Sequence, residues 1–470
     1  MNFDMKRVEG IDVLRGLSIF GMLLSGIVPF SGLPPWMYHI QTPPPSHQFD
    51  PSVAGISWVD MVFPIFIFCM GLSIPLALSK SIAKQDTLHD ILSKVSKRYI
   101  QMVIFAIALG HLLPAALAGK AYWSFSLLGL EWSGVDHQVF GLLSLLALSL
   151  WLGRHSSNSL IKQGLGFGLI IVLVFVGQKL YGKNFSVRNQ DIIILILANV
   201  YFLGTLLYIS WRKYDVNPYL IFISCLIGQI IIKSEAFQAL SWPESLGWFF
   251  QPFMIHYLLL LWPAVALGEL MLQQKEKLSA FKKSSKSGGL WVLMLPVFVI
   301  LVLGTMVYRP DPIFYAGLLI LNVIIARWGI KMLPDFDKVI KLGAYLIMVG
   351  ILMEPLEGGI KKDPVTFSYL LLSGGLSTYL LLVAQFICVN YPNKRLVGIF
   401  KDAGSSAIMA YVSINLFLFP LLKISGLWPL YRGPYFTQSP WIGVGTSILI
   451  TLLAMKAVQF AGEKKLIWKL

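Results

Sequence analysis

The sequence predicts an all-α polytopic membrane protein, a transmembrane helical bundle of about 10–14 spans. Of its 470 residues, 56% are hydrophobic and only 13% are charged, whereas soluble domains are nearer ~25% charged. Apolar runs of the length that a bilayer requires recur along the whole chain, and short basic segments separate them. This composition excludes a soluble globular enzyme, a disordered chain and a secreted disulfide scaffold.

The predicted spans follow the apolar runs in order. A helix needs ~20 mostly apolar residues to cross a bilayer, and about fourteen runs come close to that length. They cover residues 11–29, 58–79, 99–118, 138–153, 163–181, 191–211, 217–233, 248–272, 290–308, 312–328, 338–356, 367–389, 405–424 and 438–459. The runs 138–153, 217–233 and 312–328 are short, so the count could be lower.

The chain is expected to form one transmembrane domain over residues 1–470, with a half-bundle break near 273–289 as an option. Lys and Arg concentrate in alternate loops, while residues 31–57 contain neither. The positive-inside rule then predicts that both termini are cytoplasmic. The same rule accounts for the net charge of +15, so no nucleic-acid partner is expected. The lipid bilayer is the expected environment.

Two pairs of charged residues lie at the predicted cytoplasmic side. Asp12 and Arg15 lie three residues apart on one face of the first helix. They form either an interfacial ion pair or one wall of a cavity that receives an anionic ligand from the cytosol. Lys97 and Arg98 form a second basic pair.

The opposite side carries the candidate catalytic residues. The proline-rich loop 33–57 contains His39 and His47, and neutral imidazole is a natural general base near pH 7. Asp60, at the start of the second span, either orients a loop histidine or caps its helix. No third ligand is spaced to join the histidines, and the three cysteines are widely separated, so no metal is expected. Candidate acceptor-binding residues on this side are Trp36, Tyr38, Trp58, Glu357, Lys362, Ser368 and Tyr369.

Several motifs together resemble the transmembrane acetyltransferase family of heparan-α-glucosaminide N-acetyltransferase, in a bacterial branch. The match consists of Asp12-x-x-Arg15-Gly16 and of the stretch from Asp60-Met61-Val62-Phe63-Pro64 to Ser73-Ile74. Near the other end, Lys362, Thr366, Ser368 and Tyr369 resemble the family's entry to a late span. Residues 403–411 resemble the family's Gly-x-Asn-(apolar)-x-x-x-Tyr segment. The resemblance covers about the first 80 and the last 110 residues.

This resemblance implies an enzyme that takes acetyl-CoA as co-substrate from the cytosol. The acetyl group would pass to an amino sugar or glycan on the periplasmic side of a bacterial inner membrane. A histidine of the first outer loop would act at the centre, with His39 favoured over His47. Asp12, Arg15, Lys97 and Arg98 would bind acetyl-CoA. Ser25-Gly26 stands where the family's lysosomal member has an asparagine. That acyl-oxygen donor is then either missing or supplied elsewhere, for example by Asn415, which would join the acetyl-CoA-binding residues.

The alternative class is a multispan secondary transporter or flippase for a sugar-related solute. Glu269 and His256, both within predicted spans, are compatible with this class because ionisable groups in the bilayer often line a transport path. Such transporters also show broken helices and an internal repeat, and neither is clear in this sequence. A homodimer is a further option that the sequence leaves open.

Overall fold

The structure is a computed structural model. It describes residues 8–30, 32–117, 125–127, 130–132, 134–153, 159–238, 242–273, 286–309, 311–437, 439–464, 466 and 468. The predicted break near 273–289 falls mostly on residues 274–285, which lie outside this set.

Helices account for most of the described chain. The main helices are α1 (Glu9–Ser25), α2 (Trp58–Ala83), α3 (Leu88–Leu112), α4 (Val135–Leu152), α5 (Ser159–Tyr181), α6 (Ile192–Tyr214), α7 (Pro218–Lys233), α8 (Leu258–Gln273), α9 (Lys286–Tyr308), α10 (Pro312–Met332), α11 (Asp337–Met353), α12 (Phe367–Asn390), α13 (Arg395–Ser405), α14 (Ala407–Ser413), α15 (Phe419–Ile424), α16 (Trp428–Thr437) and α17 (Pro440–Glu463). A π-helical segment, Ile414–Leu418, joins α14 to α15. Short helical turns are Pro35–Met37, Pro114–Ala116, Glu235–Gln238, Glu244–Gly247, Pro252–Tyr257, Pro334–Phe336 and Pro355–Glu357.

The all-α prediction is confirmed, apart from one small hairpin. Strands β1 (Phe125–Leu127) and β2 (Leu130–Trp132) pair antiparallel, with Phe125 opposite Trp132. Within the described ranges, 11 helical segments are long and apolar enough to cross a membrane, which falls inside the predicted range of spans. The location of the termini relative to the membrane stays a prediction.

The difference from fourteen spans has a simple cause. Helices α1 and α7 are 17 and 16 residues long, which is short for a perpendicular crossing. Helix α3 is 25 residues long, but Lys94, Lys97 and Arg98 occupy its first half. All three predicted runs do form helices. The length and charge of these helices, rather than their existence, separate them from the other spans.

Several helices present an apolar outer face of the kind that contacts lipid. Leu160 on α5, Ile300 on α9 and Ile313 on α10 are among the most exposed large side chains. Such exposure is unfavourable in water and favourable in a bilayer. The bundle therefore fits a lipid environment. By contrast, α12 is buried along most of its length and forms the centre of the bundle.

Two glycines set the approach of α1 to α13. A Cβ at Gly16 would clash with the carbonyl of Phe400, and a Cβ at Gly404 would clash with the carbonyl of Asp12. Only glycine leaves room for backbones this close, as in other membrane helix pairs with small residues at the crossing. The crossing places the first turns of α1 beside the end of α13.

Helix α2 runs between the two ends of the bundle that carry the candidate residues. It is 26 residues long and begins at a capping box formed by Ser57 and Asp60. Its first turn lies beside the His39 loop, and Ser73 in its second half lies beside Arg15. These two regions are named the His39 end and the Arg15 end below.

Candidate functional site

Asp60 is the centre of the His39 end. Its carboxylate accepts hydrogen bonds from the backbone N–H of Ser57 at 3.0 Å and of Ile40 at 3.2 Å. The Nδ1 atom of His39 lies 2.7 Å from Asp60 Oδ1. Asp60 therefore does both things that its position in the sequence suggested: its carboxylate caps α2 and also contacts the loop histidine.

The contact with Asp60 sets the chemical state of the His39 ring. A carboxylate can only accept, so Nδ1 carries the proton and donates it. The lone pair of the neutral ring then resides on Nε2, where a general base or nucleophile needs it. The His39 side chain is 41% exposed, whereas that of Asp60 is 3% exposed. The pair thus joins a buried acid to an accessible imidazole.

Pro64 explains why Tyr369 is beside Asp60. A proline has no N–H, so Pro64 leaves the carbonyl of Asp60, four residues earlier, without its helical donor. The buried Tyr369 hydroxyl donates to that carbonyl at 2.8 Å. The first turn of α2 is thereby attached to α12, and the position of Asp60 is fixed from both sides.

Lys362 brings a cation to the same place. Its Nζ lies 3.5 Å from His39 Nδ1, a longer contact than the one Nδ1 makes with Asp60, so the shorter contact decides the tautomer. Burial lowers the pKa of the Lys362 ammonium, and the carboxylates of Asp60 and Asp363 act in the opposite direction. Lys362 therefore places a partly buried amino group close to a carboxylate and an imidazole.

Hydrogen bonds join the His39 loop to the Lys362 loop. Gln41 donates its side-chain amide to the carbonyl of Asp363 and accepts from the Asp363 N–H at 3.0 Å. The Gly55 N–H donates to the Ile360 carbonyl at 2.7 Å. Two loops that are distant in sequence therefore form one unit.

Some of the predicted acceptor-binding residues make hydrogen bonds within the protein. The Glu357 carboxylate accepts from the N–H groups of Phe367 at 2.8 Å and Ser368 at 2.7 Å, and so caps α12. The buried Ser368 hydroxyl donates to Thr366 Oγ1 at 3.0 Å, and the buried Tyr38 hydroxyl donates to the Pro29 carbonyl at 2.7 Å. These side chains hold the loops.

The two tryptophans predicted beside the loop are more accessible. Trp36 is 37% exposed and packs against Trp441 at 6.0 Å between ring centroids. Trp58 is partly buried at the first position of α2. Their rings are the predicted aromatic contacts that remain open to a ligand.

His47 has different surroundings from His39. Its ring meets Tyr38 edge-on at 4.5 Å and Phe30 at 5.5 Å between centroids. Among the described residues, neither ring nitrogen of His47 has a hydrogen-bond partner. Of the two loop histidines, therefore, only His39 is oriented by a carboxylate in the described structure.

A cavity of about 560 Å³ opens at the Arg15 end. Its lining includes the charged residues Asp12, Arg15 and Arg98. Arg15 contacts Ser73 Oγ at 2.6 Å and the Gly404 carbonyl at 3.3 Å, and it lies 3.6 Å from Asp12 Oδ1. Arg15 is thus held at the cavity wall by α2 and α13, and it also pairs with Asp12.

Two further features of the wall favour an anion. Arg98 lies over the ring of Tyr201, with its guanidinium carbon 4.8 Å from the centroid. Ser406 and Ala407 also line the cavity, at the start of α14, which opens the longer helical segment Ala407–Ile424. A helix start presents free N–H groups and a partial positive charge. With two arginines and one aspartate, the cavity suits a negatively charged ligand.

Two predicted co-substrate residues lie elsewhere. Lys97 is exposed and does not line the cavity, although its neighbour Arg98 does. Asn415 is exposed in the π-helical segment and also lies outside the cavity lining. Helical geometry explains the first case, because adjacent residues on a helix face different directions.

Glu269 is part of a hydrogen-bonded cluster between helices. It accepts from the Tyr208 hydroxyl at 2.8 Å and from the Gln273 amide at 3.1 Å, and it lies 3.4 Å from Arg212 Nε.

His256 is buried, and its Nδ1 has no partner in the described structure. Within the described part of the chain, no group of three His, Cys, Asp or Glu residues is arranged to bind a metal.

Comparison with known families adds one finding. Residues 7–271 match the family model described as "Domain of unknown function (DUF5009)". The chain belongs to the DUF5009 family. The DUF5009 match contains His39, Asp60, Arg15 and Arg98, whereas Lys362 and the start of α14 lie beyond it. No curated protein matches the chain.

Sequence reasoning missed several residues that build the two ends. The capping box was readable, since Ser57 stands three residues before Asp60. Pro64 also indicated that the backbone carbonyl of Asp60 lacks its usual N–H donor within the helix. No signal linked Tyr201 or Trp468 to the cavity, because both reach it through packing of distant segments.

Proposed function

We propose that the protein is a membrane-bound acetyltransferase that uses cytosolic acetyl-CoA to acetylate an amino sugar or glycan on the opposite side of the membrane. The observation that carries this proposal is the arrangement along α2. An oriented histidine stands at one end of this helix, and a cavity with two arginines lies along its other half.

The Arg15 end would bind the nucleotide part of acetyl-CoA. Phosphates are favoured by arginine side chains and by helix N-termini, and the cavity offers Arg15, Arg98 and the start of α14. The positive-inside rule predicts that this end faces the cytosol. It is the side on which acetyl-CoA is made available, and this polyanion cannot cross lipid unaided.

The thioester arm would run along α2 toward His39. Phe66 lines the cavity, and it follows Asp60 by six residues, or about 9 Å of helix axis at ~1.5 Å per residue. Ser73, which contacts Arg15, lies about 20 Å from Asp60 on the same basis. A long flexible linker between the phosphates and the thioester suits this distance.

At the His39 end, Nε2 would take a proton from the acceptor amine or hydroxyl as that atom attacks the thioester carbonyl. The new bond joins the acetyl carbon to nitrogen or oxygen, and the carbon–sulfur bond breaks. The thiolate of CoA then receives the proton from the imidazolium. Asp60 would stabilise that imidazolium, and the Lys362 ammonium would favour negative charge on the carbonyl oxygen.

A second route has the same balance. His39 Nε2 attacks the thioester carbonyl first, the carbon–sulfur bond breaks, and CoA leaves as the thiolate, with an acetyl-imidazolium on the protein. The acceptor then attacks the acetyl carbon, the bond from that carbon to Nε2 breaks, and the proton that the acceptor loses neutralises the thiolate. Mixing enzyme with labelled acetyl-CoA in the absence of acceptor distinguishes the two routes. A burst of thiol with one label per protein supports the acetyl-histidine, whereas no burst supports direct transfer.

The acceptor class and the bacterial inner membrane follow from the family resemblance and belong to this proposal, as does a homodimer. Purified protein is incubated with acetyl-CoA and a panel of amino sugars and glycan fragments, and free thiol is followed. We expect acceptor-dependent thiol release that His39→Ala abolishes and that His47→Ala, the matched control, retains.

Three results would count against parts of the proposal. Loss in His47→Ala alone would move the reaction to the other histidine. Full turnover in both variants would remove the histidine mechanism. Absence of both acetyl-CoA binding and thiol release, with any acceptor, would favour the transporter or flippase.

A further inference from the structure

Trp468, near the carboxyl terminus, is packed back into the bundle. Its side chain is only 6% exposed, and its backbone pairs with Gly153 at the end of α4. The indole N–H donates to Ser149 Oγ at 3.2 Å, and the ring lies edge-on to Phe105 at 6.2 Å between centroids. Contacts with α3 and α4 therefore hold the indole in one position.

Trp468 is also one of the residues that line the cavity at the Arg15 end. The other aromatic residues in the described lining are Phe66 and Tyr201. The ring of Tyr201 is covered by the guanidinium of Arg98. Phe66 lies on the part of α2 that leads toward Asp60, and so it is placed for the thioester arm. Trp468 remains as the aromatic surface at the end where the phosphates would bind.

We propose that the indole of Trp468 stacks on the nucleobase of the co-substrate. This inference rests on the proposed function and deepens it, because it assigns the base to one residue and the phosphates to Arg15 and Arg98. Planar bases bind to aromatic side chains by stacking, and a fixed ring loses little conformational entropy when it does so. The cavity then recognises both parts of a nucleotide.

Calorimetric titration of the full-length protein with two probes tests the assignment. The first probe is CoA, and the second is 4′-phosphopantetheine, which has the same arm and no nucleobase. We expect Trp468→Ala to weaken CoA binding at least tenfold and to change binding of 4′-phosphopantetheine less than twofold. Trp468→Phe, which keeps a ring, is expected to retain most of the affinity for CoA.

Trp441→Ala is the matched control, because Trp441 is half exposed and packs against Trp36 at the other end of the bundle. It should leave both affinities unchanged. Equal weakening of both probes by Trp468→Ala would assign the residue to packing alone and overturn the stacking proposal, as would unchanged affinity for CoA. Failure of the wild-type protein to bind CoA would instead overturn the proposed function.

The fold of the variant is checked independently by thermal unfolding without ligand. If Trp468→Ala unfolds at a lower temperature, the comparison is made with Trp468→Phe and Trp468→Leu, which both refill part of the space. Stacking predicts that the phenylalanine variant binds CoA several-fold more tightly than the leucine variant. Equal affinities in these two variants would contradict it.

Discussion

The hydroxyl of Tyr369 donates to the backbone carbonyl of Asp60 at 2.8 Å, in place of the N–H that Pro64 lacks. Loss of one partner of a buried hydrogen bond costs ~1–3 kcal/mol. We expect Tyr369→Phe to lower the free energy of unfolding by about this amount. It should also slow turnover more than it weakens acceptor binding, because His39 is oriented through Asp60.

Pro64→Ala provides the control for this prediction. An alanine at this position returns a helical N–H to the Asp60 carbonyl. Tyr369→Phe should therefore cost less in the Pro64→Ala background than in the wild type, as measured by a double-mutant cycle of unfolding. Equal costs in both backgrounds would show that the tyrosine acts by another route.

Asp60→Asn should reduce thiol release by about 10²-fold or more, since the amide no longer stabilises the charged imidazole. The same change removes a negative charge that raises the pKa of Lys362 against the effect of burial. The pKa of the lysine then falls further. We expect the alkaline side of the pH–rate profile of the residual activity to shift to lower pH. An unchanged profile would show that the protonation of Lys362 does not affect the reaction rate.

Lys362→Met should lower the turnover rate about tenfold or more, because it removes the cation that favours negative charge on the reacting oxygen. Lys361→Met is the matched control. It removes a neighbouring positive charge that has no contact with His39 among the described contacts. Steady-state thiol assays compare the turnover rates of the two variants. Equal losses would show that Lys362 acts only through the overall positive charge of its loop.

Arg15→Gln and Arg98→Gln should each weaken acetyl-CoA binding about tenfold or more, and the loss should be smaller at high salt. Lys97→Gln, adjacent to Arg98 but outside the cavity lining, should leave binding unchanged. Binding isotherms at two ionic strengths measure both effects. A loss in Lys97→Gln equal to that in Arg98→Gln would restore the sequence-based assignment of Lys97.

Gly404→Ala should destabilise the protein by about 1–3 kcal/mol or more, because the new methyl group overlaps the Asp12 carbonyl. Gly445→Ala on α17 is the control, since no heavy atom of the described residues lies within 4 Å of a Cβ built there. It should be neutral or stabilising by up to about 1 kcal/mol. Thermal unfolding in detergent compares the two, and similar midpoints would contradict the close crossing of α1 and α13.

The fold was more predictable from the sequence than the site. Apolar runs of membrane length identify helices directly, because a bilayer leaves few other ways to satisfy the backbone. The pairing of His39 with Lys362 joins residues 323 positions apart, and no local pattern encodes such a contact. Arg98 and Lys97 could not be separated by charge, since only the rotation of α3 decides which one reaches the cavity.

Because Ser73 and Asp60 lie on the same helix, the spacing along α2 sets the length that an acyl donor must have under the proposed function. Under the proposed function, a donor must span about 20 Å between its anionic group beside Arg15 and its carbonyl beside His39. Acetyl phosphate carries its acyl group directly on the phosphate, so its carbonyl would stop at the level of Ser73. Under the proposed function, an acetyl donor that is anchored at Arg15 and is shorter than about 20 Å would therefore not reach His39.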